Sequence, residues 1–103
     1  MRAPLSDANL RFAQLSTANL TEANLTGAHL EGASLARSDL FNADLTGADL
    51  SNADLTGVNL AYANLTSTNL RGTNLSGANL TNVKGISPAQ IRQQARTDES
   101  TEF

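Results

Sequence analysis

The 103 residues predict an all-β solenoid: a rod of about four coils built from sixteen five-residue units and closed by a short C-terminal α-helix. Three observations predict it. Every leucine sits at a multiple of five, from Leu5 to Leu80 without a gap, sixteen in all. The residue two before each Leu is small, Ala in twelve units and Ser38, Val58, Thr68 or Thr73 in the others. The residue two after it is Gly in six units and Asp7, Asn42, Asn52 or Asn82 in four more, types that tolerate the positive φ of tight turns.

An α-helix turns about 100° per residue, so a five-residue step rotates the apolar position by about 140° and builds no stripe. A straight strand has a period of two, which would send alternate leucines into water. A unit in which the small residue and the Leu both point inward, followed by a bend, buries all of them. Each unit is then one side and one corner. Bends of about 90° close a square after four units, a 20-residue coil, and coils stacked at roughly 4.8 Å make a rod nearly 20 Å tall. Periodicity alone also admits a triangular rod with three corners per coil.

Runs such as Ala43-Asp44-Leu45-Thr46-Gly47 and Ala78-Asn79-Leu80-Thr81-Asn82 resemble the A(D/N)LXX motif of the pentapeptide repeat family, and the likeness covers residues 1–82. The resemblance implies a right-handed quadrilateral β-helix with four units per coil, which selects the square. It implies little about function, because most members have none assigned. One branch protects DNA gyrase from quinolones or inhibits it by mimicking DNA. Those proteins are longer, place Phe at many centres and pair through a C-terminal module, whereas this chain has Leu at every centre.

The period stops after Asn82, where the next central slots fall on Gly85 and Gln90. Residues 83–96 read as a linker and capping helix. Ser87 is placed as N-cap, Pro88 at the first helical position, Gln90 to complete a capping box, and Ile86 with Ile91 as a hydrophobic staple. The expected helix runs from Pro88 to Arg96 and docks on the last ring of leucines, since so short a helix is unstable alone. The tail, 97–103, is polar and acidic, and is expected to be disordered with Phe103 incidental. At the other end Met1 to Pro4 is too short to cover the first ring. Its leucines, Leu5, Leu10, Leu15 and Leu20, together with Phe12, are the expected edge of a head-to-head homodimer.

Seven basic and ten acidic side chains leave a net charge of -3, the wrong sign for a nucleic-acid surface. The absence of cysteine excludes disulfides, thiolate metal sites and cysteine nucleophiles. No apolar run is long enough to span a bilayer, and a cytoplasmic chain without a membrane partner is expected. Asp39, Asp44, Asp49 and Asp54 fall one unit apart, so they ring the rod instead of converging, and no metal site is expected from them. His29 stacks in the column of Asn9, Asp49 and Asn69, within reach of Asp49, and reads as a surface residue. Arg11 and Glu31, twenty apart, are expected to pair.

Phe41 and Tyr62 differ by 21 and therefore meet near one corner, outside a core that is all Leu. They are the candidate partner-binding residues. No convergent titratable pair or phosphate-cradling loop is legible, so no catalytic residue or cofactor is expected. The expected function is a non-catalytic scaffold or protein-binding module; the alternative is a DNA-mimicking gyrase inhibitor or protector. A duplex carries a charge per about 1.7 Å, so a rod of roughly 19 Å would need about eleven. The repeat body offers seven acids against four arginines.

Overall fold

The computed structural model describes residues 2–103; Met1 lies outside them. Parallel bridges join residues 20 apart, beginning Pro4–Asn24, Asn9–His29, Gln14–Ser34 and Asn19–Asp39 and continuing in the same four columns up the rod. Four columns make four sides, so four five-residue units complete each coil. The molecule extends 32 × 23 × 22 Å.

One unit shows why the motif takes this form. In Ala43–Gly47 the Ala43 N–H donates to the Leu40 carbonyl across the corner, at 3.0 Å. Asp44 N–H donates to Ala23 of the coil below, while Leu45 and Gly47 N–H donate to Asn64 and Thr66 of the coil above, at 2.9–3.0 Å. That leaves the N–H of Thr46, which donates to Asp44 Oδ1 at 3.0 Å. All five donors are satisfied, as a buried backbone requires. The Asn or Asp before each Leu is therefore the acceptor for a corner amide that no coil can reach, and twelve units carry one.

The corners need a left-handed residue two after every Leu. All sixteen adopt it, with φ between 57° and 70°, including Phe12, Thr17, Glu22, Arg37, Tyr62 and Ser67, which the sequence pattern does not single out. An L side chain there costs on the order of 1 kcal/mol, and the closed coil imposes it. Inside, Leu25 to Leu80 are each at most 1% exposed. Where Thr68 and Thr73 replace Ala, their hydroxyls donate to the carbonyls of Leu45 and Leu50 at 2.8 and 2.7 Å. Ser38 Oγ is buried without a partner.

The C-terminal segment departs from expectation. The helix α1 spans Pro88–Gln94, with the Ser87 capping box in place and Ile91 buried. It ends two residues early because Arg96 must already be extended: its N–H donates to Thr73 and its carbonyl accepts from Leu75, both at 2.8 Å. The tail, expected to be disordered, is ordered as a further turn of the rod. Glu102 bridges Asn79, donating to Ala78 at 2.9 Å and accepting from Leu80 at 2.8 Å. Thr101 is buried and its hydroxyl donates to Leu75 at 2.9 Å.

Thr101-Glu102-Phe103 thus occupies the slots of small residue, Asx and Leu. Phe103, expected to be incidental, packs against the core with the Arg92 guanidinium 4.3 Å over its ring. Lys84 and Arg96 continue two other sides, and α1 stands in for the fourth. On that fourth side the Leu70 N–H, which would meet a strand carbonyl, donates instead to Gln94 Oε1 at 3.1 Å.

Candidate functional site

Phe41 follows a central Leu and Tyr62 lies two after another, so the 20-residue register brings them to adjacent columns of adjacent coils. Their rings meet edge to face, centroids 5.6 Å apart at 62°. Phe41 is 38% and Tyr62 46% exposed. The corner is held from behind: Phe41 N–H donates to Asp39 Oδ1 at 3.0 Å, and Tyr62 N–H to Thr81 at 3.0 Å. Ala61, one coil above Phe41 in its column, is buried. Beside the pair runs an open cleft of about 250 Å³ walled by Tyr62, Asn42, Glu22 and Asp44, with Arg2 and Lys84 also lining it. Sequence reasoning missed this cleft, although stacking 22, 42 and 62 beside 44, 64 and 84 would have placed it.

The four aspartates lie in four different bridge columns, hence on four sides of the rod. Each accepts from the amide two residues on; Asp44 and Asp54 also accept the Thr46 and Thr56 hydroxyls at 2.6 Å. Those hydroxyls, and then the same threonines' amides, hold the Asp44 and Asp54 carboxyls below the ordinary 3.8. A depressed folded pKa means stability that is present above the unfolded value and lost as pH falls through the folded one. The wild type should therefore lose stability below about pH 4. Asp44→Asn with Asp54→Asn keeps the same bond, as Asn64 does to Thr66 at 3.0 Å. The double variant is expected to melt like the wild type at neutral pH and to fall less steeply in acid, read from thermal melts across that range.

His29 does not bond Asp49. The Asp49 Oδ1 is turned along its own chain to the Ser51 amide at 2.9 Å. The His29 Nδ1 lies instead 3.6 Å from Glu31 Oε1 and 3.3 Å from Arg11 Nη2. Arg11 and Glu31 form the expected pair at 2.8 Å. Exposed as it is, it contributes under about 1 kcal/mol. At the N-terminal end, Leu5, Leu10, Leu15 and Leu20 are only partly buried. Phe12, 74% exposed, turns back along the side of the rod: a Cβ on Gly32 would lie 2.6 Å from its ring. The four leucines, without Phe12, face the end.

Among the described residues, no helix is long and apolar enough to cross a membrane. Residues 18–57 and 48–84 match the family model for pentapeptide repeats, in eight copies. No curated protein matches the chain. Among solved structures, a pentapeptide repeat protein of the Arabidopsis thaliana thylakoid lumen is 30% identical over 96% of this chain and 60% of its own, with a TM-score of 0.62. The pentapeptide repeat protein Rfr23 of the cyanobacterium Cyanothece 51142 is 35% identical over 88% and 64%, with a TM-score of 0.40. A trypsin-treated form of QnrB1, a plasmid-mediated fluoroquinolone resistance protein, is 21% identical over 80% and 38%, with a TM-score of 0.48. The chain spans less than two thirds of the length of each.

Proposed function

The chain belongs to the pentapeptide repeat family, right-handed quadrilateral β-helices with structural or binding rather than enzymatic roles, and from that membership we propose a rigid module of about four coils that binds a protein partner at the Phe41–Tyr62 corner. One observation carries the reading. Phe41 and Tyr62 stand exposed with their rings in edge-to-face contact, whereas the third exposed aromatic, Phe12, lies apart in the first coil, and nothing in the core requires the pair. The cleft beside Tyr62 adds Asn42 and Asp44 as hydrogen-bonding groups and Arg2 and Lys84 as cations.

DNA mimicry draws less support. Aspartates pointing in four directions do not build the continuous charged ridge that a duplex presents. The test is quantitative capture from the source cell with the wild type and with Phe41→Ala plus Tyr62→Ala. At least one protein held by the wild type should drop tenfold or more with the double variant, at unchanged melting temperature. Identical captures would sink the proposal, and inhibition of gyrase supercoiling by low micromolar protein would replace it.

A further inference from the structure

We propose that the first coil is a self-complementary joint through which two copies of this 103-residue chain meet end to end about a two-fold axis, closing at a dimer. The inference goes beyond the partner-binding reading and does not rest on it.

Between coils the residue before each Leu turns both backbone groups downward: Asn24 donates to Ala3 and accepts from Leu5, both at 2.9 Å. In the first coil those same groups face out of the rod. The N–H groups of Asn9, Gln14 and Asn19, the carbonyls of these three and of Pro4, and the carbonyls of Ser6, Arg11, Ser16 and Thr21 that follow each Leu have no partner among the described residues. Each of the three presents a donor and an acceptor on one edge, which is what strands related by a two-fold axis need in order to exchange bonds. Pro4 offers only an acceptor, so it must face one of the three in the other copy. Three donors from each copy give six hydrogen bonds across the joint.

The side chains agree. Leu5, Leu10, Leu15 and Leu20 are the leucines left partly buried, whereas a coil laid on each later ring brings exposure to 1% or less. The opposite end offers no regular edge, because α1 replaces one of its four sides and Gln94 has taken the Leu70 amide. A first coil therefore has no second coil edge of its own kind to add to except another first coil, and association stops at two copies instead of running on as a filament. The rod's 23 × 22 Å cross-section offers about 500 Å² per copy, about 1,000 Å² in all, at the small end of specific interfaces, where association is weak and reversible.

Sedimentation equilibrium through the micromolar range should show the 10.8 kDa chain giving way to twice that mass and nothing larger. Gln14→Pro is the discriminating variant. Pro4 already occupies the equivalent slot, and the Gln14 amide has no bond in the single copy. The variant should melt like the wild type yet dissociate tenfold or more readily, having lost two of the six bonds. Amide exchange at Asn9, Gln14 and Asn19 should slow with concentration, while Leu10, Leu15 and Leu20, bonded upward, should not change. A single copy at every concentration, larger assemblies, or a dimer indifferent to Gln14→Pro would each overturn the joint. A failed capture at the Phe41–Tyr62 corner would leave it intact.

Discussion

Leu50→Ala is expected to lower the free energy of unfolding by about 3–5 kcal/mol, the range for a fully enclosed leucine whose surroundings cannot collapse. Leu50 is completely buried, with Leu30 and Leu70 below and above it in its column. The square coil cannot shrink around the void, because its perimeter is held by the ladder: Leu50 N–H donates to Asn69 at 2.8 Å, and its carbonyl accepts from Ala53 and from the Thr73 hydroxyl. In a solenoid each coil depends on its neighbours, so loss in the middle weakens both halves. Leu10→Ala, in the first ring that a single copy leaves half-covered, should cost about 1–2 kcal/mol at protein concentrations too low for the joint to form, since less surface is returned to water. Urea melts of the two variants measure the contrast, and equal losses would show that the first ring is as enclosed as the middle.

Removing residues 97–103 is expected to cost about 4 kcal/mol. The truncation deletes the Leu80–Glu102 and Glu102–Ala78 bonds and the Thr101 hydroxyl on Leu75. At about 1 kcal/mol for each net bond, with Leu80 partly returned to water, the sum reaches that order. Phe103 and its contact with Arg92 go as well, loosening a seven-residue helix that is not stable alone. Chemical denaturation of the chain ending at Arg96 tests this. An unchanged midpoint would mean the tail is laid on the rod without supporting it. Phe103→Leu should retain most of the stability, because the slot is that of a central leucine.

Much of the rod was legible from residues alone. The Leu and Ala slots named the core, and the Gly, Asn and Asp two after each Leu named the corners. The Asx before each Leu was legible as a repeated slot, and the structure shows what it does: it accepts from the amide two residues on. The aromatic corner could be located because adding 20 moves one coil up a column and adding 21 moves to the neighbouring one. The partner of His29 was not legible, because an Asx turn directs the Asp49 carboxylate along its own chain and away from the rung below.

Side, corner and core were determined by sequence alone, because in a stacked repeat each residue's surroundings depend on its slot; the 20-residue spacing of the columns rested on the family resemblance and is fixed by the bridges, since the period by itself also allows three sides. The ends were decided by the tertiary structure. Arg96 pairs at a separation of 22 and Glu102 at 23, because a helix takes the place of one side and consumes a different number of residues. Once that step is irregular, no period remains from which to read that Phe103 refills a leucine slot.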